Sequence, residues 1–354
     1  MGQRTKWGNN AMREDGYETL GALQAYKLRL RRKRLLWQIR QAGRSLKPLA
    51  DRSAQILPGA HLAFACLRNE SLRLPHWLDH YRALGVSHFL IVDNVSDDGT
   101  LDMLCAQPDV SVWQAAGSYR AARFGMDWLG VLHQRFGAGH WCLTVDADEL
   151  LILPHHNARA LPDLTAHLGS IGAESFGAMM LDMYPKGPLG AGTYQPGTDP
   201  TTTLPGFDPD GYWWRQKGRY GYLDIRGGAR ERAFFGERPL EGPHLHKVPL
   251  IQWQPGFCYV SSMHFALPRR LNRVFDARDG RPTGVLLHTK FLPDVIARTQ
   301  EDTARQEHFT HPNRYVDYRT AVTDGPSLWH PRTQRYAGWE QLEELGLMTR
   351  GTWR

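Results

Sequence analysis

The chain is short of the features that most often settle a protein's class. Its 354 residues include four cysteines, Cys66, Cys105, Cys142 and Cys258, with no Cys-x-x-Cys pair, so neither a structural zinc site nor a disulfide framework is indicated. They read as small core residues. No apolar run approaches the ~20 residues a membrane-spanning helix needs, and the N-terminus lacks the apolar core of a signal peptide. A cytoplasmic protein is the expectation. No internal repeat or low-complexity linker separates a second independent domain. Acidic charge is nearly missing from one segment: between Lys27 and Arg52 ten Lys or Arg accompany a single acid, Asp51, a net of +9 against +7 for the whole chain, which leaves the remainder at −2. A body so close to neutrality is not built as a duplex binder, which needs many phosphate contacts over its surface. No nucleic-acid partner is expected.

What is present suits one large α/β domain with additions, given the length and an apolar content of 42%. Residues 1–26 are polar and aperiodic and read as a poorly ordered lead-in. From Tyr26 to Leu46 helix formers dominate, and Leu28, Leu35, Ile39 and Leu46 fall near one face, while Leu30 and Trp37 interrupt a two-sided pattern. Such a basic helix has two readings. Residues 27–47 lie on an anionic membrane surface, at its inner face, or the helix is solvated and packs one stripe on its own domain. Pro58 and Gly59 close the segment.

From His61 the pattern alternates. A strand His61 to Leu67 delivers Arg68-Asn69-Glu70, a helix runs from Leu74 to Leu84, and a strand Ser87 to Val92 delivers Asp93-Asn94 and the turn Ser96-Asp97-Asp98-Gly99-Thr100. A strand at Val110 to Trp113, a helix at Phe124 to Phe136 and a strand at Trp141 to Val145 follow. Strands alternating with helices predict a mostly parallel central sheet flanked by helices, with right-handed crossovers. The last strand runs into Asp146-Ala147-Asp148. Carboxyl ends of such strands face the ligand crevice, and residues i and i+2 share a side, so both acids can serve one divalent cation. An isolated Asp-x-Asp also arises as a cap or turn. With Arg68 and Asp93 at neighbouring strand ends, the group reads as a nucleotide crevice.

These motifs, with Leu74-Pro75-His76-Trp77-Leu78-Asp79-His80-Tyr81, Gly85-Val86 and Val145-Asp146-Ala147-Asp148-Glu149, give the chain a resemblance to bacterial family 2-like glycosyltransferases of the GT-A fold. It is strongest over residues 61 to 150 and continues through scattered motifs to about residue 310. The resemblance implies inverting transfer of a sugar from a nucleotide diphosphate donor, UDP-linked first, to a saccharide or glycolipid acceptor, with Mn²⁺ or Mg²⁺. It implies donor binding by Arg68, Asn69, Glu70, Asp93, Asn94, Asp97 and Asp146, with Asp93 on the base. It also implies metal binding by Asp146 and Asp148, completed by a late histidine, for which His288 in Gly284-Val285-Leu286-Leu287-His288 is the candidate.

Arg230 and Lys290 are candidate diphosphate contacts. The Gly, Pro and Thr-rich stretch from Lys186 to Trp214, with Trp213-Trp214, reads as an acceptor-side lid. Inverting transfer needs a carboxylate to take the acceptor's proton, and Asp182, ending the strand from Phe176, and Glu231 are the candidates. The expected organisation is a basic helical extension over residues 1–57, a GT-A domain over 58–320 and a C-terminal wrap over 321–354. Two other readings stay open: a nucleotidyltransferase, although Leu67-Arg68-Asn69-Glu70 is not its usual glycine-rich, lysine-containing loop, and a catalytically degenerate binding protein of the same fold.

Overall fold

The computed structural model describes residues 5–6, 19–276, 280–305 and 316–354; most of the expected lead-in over 1–26 lies outside them. The organising strands are apolar without alternation. His88–Asp93, Ser175–Asp182 and Thr283–His288 are buried at every position, as strands covered on both faces must be. In chain order the central sheet comprises β1 (Leu46–Ala50), β2 (His61–Leu67), β3 (His88–Asp93), β4 (Val110–Ala115), β5 (Trp141–Thr144), β6 (Glu149–Ile152), β7 (Ser175–Asp182), β8 (His246–Gln252) and β9 (Thr283–His288). Their spatial order is β1-β4-β3-β2-β5-β8-β7-β9-β6. Strands β2 to β5 are mutually parallel, as are β7 and β9, while β1, β6 and β8 run antiparallel to their neighbours. The sheet is mixed but mostly parallel, as expected.

Two features of this order position the cleft. The chain leaves β2 toward β3 on one side and later returns to place β5 on the other, so the strand order reverses between β2 and β5, where an open α/β sheet leaves a crevice at its carboxyl ends. The second is the jump after β5. That strand stops at Thr144, Asp146 to Glu149 form a turn in which the Glu149 amide donates to the Asp146 carbonyl at 3.2 Å, and β6 pairs at the far edge of the sheet with β9, Glu149 opposite His288. His288 is in turn opposite Asp182 of β7. One register row thus brings Asp182 and the end of the Asp146 turn together with His288, which lies more than a hundred residues further along the chain.

Helix α1 (Ala22–Ala42) buries Leu28, Leu35 and Ile39 against helix Met126–Phe136 and strand Cys258–Ser261. Gly130 makes room for it, since a Cβ there would stand 2.7 Å from Ile39 Cδ1. The segment expected as a separate extension also supplies β1, the edge strand. At the other end Trp353 is buried, and the Thr283 amide donates to Thr349 at 2.8 Å. The stretch from 186 to 214 contains a short helix, Pro200–Thr203, and strand Gly206–Phe207, and Trp213 and Trp214 are buried in strand Trp213–Lys217. They are packing residues and offer no open face to a sugar. No helix among the described residues is long and apolar enough to cross a membrane.

Candidate active site

A cleft of about 670 Å³ opens at the carboxyl ends of β2 and β5 and extends past β7 and β9, within the usual size of a small-ligand site. Of the residues singled out in the sequence, Arg68, Asn69, Glu70, Asn94, Asp146, Asp148, Arg230, His288 and Lys290 line it. Asp93, Asp97, Asp182 and Glu231 do not.

At its floor runs a chain of four groups. Asp148 Oδ2 is 3.2 Å from His288 Nε2, His288 Nδ1 is 2.7 Å from Asp182 Oδ1, and Arg230 Nε donates to Asp182 Oδ2 at 2.8 Å. Burial alone would raise both carboxyls, but Arg230 and His288 hold Asp182 below the usual range, and His288 with Arg73 and Lys290 does the same for Asp148. Burial alone would lower His288; Asp148 and Asp182 outweigh it and raise the imidazole. The Asp148 backbone is pinned by Thr289, whose amide donates to its carbonyl at 2.7 Å. Helix Gly228–Phe234 presents Arg230, and it can begin there because Gly227 has φ 114°, where a Cβ would meet the Gly211 carbonyl at 2.2 Å.

Asp182, a candidate base on sequence, is buried behind His288, tied to the Arg230 guanidinium, and does not line the cleft. Glu231, the other candidate, accepts from the Trp213 indole at 2.9 Å and stands outside the cleft. Asp146 and Asp148 also part company. Asp146 Oδ2 accepts from Lys247 Nζ at 2.8 Å, and Lys247 bridges to Glu149. Burial, with Asp146 and Asp148 nearby, pushes Glu149 up to about 7 despite Lys247. The two acids of the motif therefore face different cations, because the segment is a turn and lacks the two-residue repeat of a strand.

The loops after β2 and β3 are stitched to each other. Asn69, at φ 53°, accepts from the Asp97 amide at 3.0 Å and its own amide donates to Ser96 Oγ at 3.1 Å. Arg68 Nη1 donates to the Asn94 carbonyl at 2.9 Å, and Asn94 Nδ2 donates to the Ala115 carbonyl at 2.7 Å. Asp93, expected to read the base, is fully buried and accepts from Ser96 and Gln114. Asp97 is exposed beside Arg68 at 3.9 Å. Glu70 is paired with Arg298 and Arg73, and Lys290 stands 6.0 Å from the Tyr318 ring. Sequence reading missed Arg73 and Arg298, and it gave Lys247, in the Lys247-Val248-Pro249-Leu250 run, no role. The signal for Lys247 was present, a lysine in an otherwise apolar run, which has to be paired when buried.

The other missed group is a second set of histidines. Among the described residues, Asp224, His244 and His246 bring one ligand atom each within 4.8 Å of one another, and the His244-x-His246 alternation was its visible trace. Its carboxylate is already occupied. Arg215 Nε donates to Asp224 at 2.9 Å, Arg226 Nε at 3.2 Å, and His244 Nδ1 is 2.5 Å away. Burial alone would raise Asp224, but His244, Arg226 and His246 hold it well below the usual range. A metal ion here would have to displace a buried guanidinium. Asp148 and His288 suit an ion better: two donors sharing one metal at bonds of about 2.1 Å stand roughly 3.0 to 3.4 Å apart, close to their 3.2 Å separation. Asp182 on the far nitrogen completes the carboxylate–histidine arrangement that orients metal-binding imidazoles.

No protein-family model matches the chain, and no curated protein does. Solved structures similar to it include 4-diphosphocytidyl-2C-methyl-D-erythritol synthase, at 21% identity over 40% of this chain and 68% of that one, with a TM-score of 0.26. Another is a Bacillus anthracis protein assigned as a glucose-1-phosphate thymidylyltransferase, in complex with sucrose, at 8% identity over 39% of this chain and 65% of that one, with a TM-score of 0.25.

Proposed function

We propose that the chain is a metal-dependent inverting glycosyltransferase of the GT-A fold, moving a sugar from a nucleoside diphosphate donor, UDP-linked first, to a saccharide or glycolipid acceptor. The observation that carries this reading is the Asp148 and His288 pair, 3.2 Å apart at the floor of the cleft and backed by Asp182. Asp148 and His288 would hold Mn²⁺ or Mg²⁺, the imidazole nitrogen favouring Mn²⁺. When bound, the ion supplies neutralisation of the diphosphate as it leaves.

The chain's own residues shape the donor side of the transfer. Asp182 takes a hydrogen bond from His288 Nδ1 and so keeps Nε2 directed at Asp148. Lys290 and Arg68, at the cleft wall, add positive charge for the diphosphate. Lys247 offsets part of the charge of Asp146 and Glu149, which would otherwise repel a diphosphate more strongly. Asp182, held below the ordinary carboxylate range, is a weak proton acceptor and a positioning residue in this scheme.

The test is calorimetric titration with UDP, GDP and CDP, with and without Mn²⁺, on the wild type and on Asp148→Ala. The expected result is Mn²⁺-dependent binding of one nucleotide, lost in the variant. Absence of binding under every condition would overturn the reading. The products then separate two chemistries: release of a nucleoside diphosphate from a nucleotide sugar marks glycosyl transfer, whereas release of pyrophosphate from a nucleoside triphosphate and a sugar phosphate marks nucleotidyl transfer.

A further inference from the structure

Helix α1 carries two apolar stripes. Leu28, Leu35 and Ile39 are buried against the body of the protein. Leu23, Tyr26, Leu30 and Trp37 are 64%, 57%, 46% and 62% exposed. At 3.6 residues per turn the second set spans about 60° of the helix circumference, and its centre lies about 170° from the first. Exposed apolar side chains scattered singly are ordinary; a row about 21 Å long on one helix face is not.

The stripe is bordered by charge of one sign. Lys27, Arg29, Arg31, Lys33, Arg34 and Arg40 are exposed around it, and no acid occurs from Thr19 to Ala50. Among the described residues, no ion pair engages any of these six. A second copy of the chain would bring the same positive charge against itself. A polyanion alone would use the charge and leave the stripe in water. An anionic lipid surface matches both features, because Trp and Tyr favour the headgroup boundary and long basic side chains reach from an apolar footing to the phosphates.

We propose that the outward face of α1 docks this protein on an anionic membrane, with Leu23, Tyr26, Leu30 and Trp37 entering the interface and the flanking Lys and Arg meeting lipid phosphates. The docking does not depend on the transferase reading. Its geometry bears on that reading, because α1 packs on strand Cys258–Ser261, whose last residue lines the cleft. A lipid-linked acceptor would lie on that same membrane surface.

The test is co-sedimentation of the full chain with phosphatidylcholine vesicles, with and without phosphatidylglycerol. Binding to the anionic vesicles is expected, weakened about five-fold per residue in Arg29→Gln, Lys33→Gln and Arg34→Gln and about tenfold or more in the pair Leu30→Ser and Trp37→Ser. These side chains are exposed, so the melting temperature should not move. As a second measurement, lipids brominated on the acyl chain should quench part of the tryptophan emission of the wild type, and that part should vanish in Trp37→Phe, which keeps the stripe apolar. Failure of the wild type to bind anionic vesicles would overturn the proposal. So would unchanged binding of the stripe variant, which would assign the surface to charge alone, or lipid-free dimerisation abolished by that variant, which would assign the stripe to a second copy.

Discussion

Two histidine and carboxylate groups lie in or beside the cleft, and they differ in what else touches the carboxylate. Asp224 meets His244 and His246 but is also held by Arg215 and Arg226, so its charge is already balanced. Asp148 meets His288, and the guanidinium in that network, Arg230, sits one group further back, on Asp182. Proximity alone would favour the first group as a metal site; the placement of the guanidinium favours the second. Competence to bind an ion depends on which group balances the carboxylate, since an imidazole can give up its proton and ligate where a guanidinium cannot, a distinction no count of ligand types makes.

The sharpest way to break this comparison is to remove one carboxylate from each group. Asp148→Ala is expected to lower Mn²⁺-dependent nucleotide affinity by about 100-fold or more, since an uncompensated imidazole is a poor ion site, while Asp224→Asn should stay within about three-fold. Calorimetry on both variants reads this directly, and the reverse ranking would make Asp224 the metal ligand. The stability effects should run the other way. Asp224→Asn leaves Arg226 buried without its counter-charge, at a cost of about 3 to 5 kcal/mol, visible as a lowered urea midpoint. The sign with pH follows from the depressed carboxyl. A folded pKa below the ordinary 3.8 contributes stability that is fully present above pH 3.8 and is lost as pH falls through the folded value. The gap between wild type and Asp224→Asn should therefore be flat at neutral pH and close only in acid.

Much of the first half of the fold was legible because parallel strands buried on both faces read as plain apolar runs, and His61–Leu67 and His88–Asp93 stand within a residue or so of where the pattern put them. The site was legible only in part. Asp148 and His288 could be named, but their meeting depends on β6 crossing to the far edge beside β9, a long-range choice with no local signal. The pairing of Asp146 with Lys247 was hidden for the same reason, as the two are 101 residues apart. Helix α1 shows a different limit. Leu30 and Trp37 looked like defects in one stripe because two stripes on opposite faces cancel in any measure of sidedness. Exposure had to be seen before they could be recognised as a stripe of their own.

A finer test separates orienting from reacting. Asp182→Asn should weaken Mn²⁺ affinity by about 10- to 100-fold, the usual effect of losing the group behind a metal-binding histidine. Nucleotide binding without metal should stay within about two-fold, read by the same titration. Because Arg230 also loses its partner, the melting temperature is measured alongside. A loss of turnover at saturating Mn²⁺ with metal affinity unchanged would instead return Asp182 to the role of base.

The smallest effect is expected at Glu231. Its carboxylate accepts the Trp213 indole hydrogen, and Glu231 is not among the residues that line the cleft. Gln keeps an acceptor oxygen in nearly the same place, so Glu231→Gln should preserve that hydrogen bond while removing any capacity to take a proton. Turnover of the variant within about two-fold of wild type across the pH range would fit a role outside the cleft. A loss of two orders of magnitude or more, with nucleotide and metal affinities intact, is what removal of a general base produces. It would mean that the helix turns Glu231 into the cleft during reaction, and the division drawn between the cleft lining and its surroundings would then have to be redrawn around that motion.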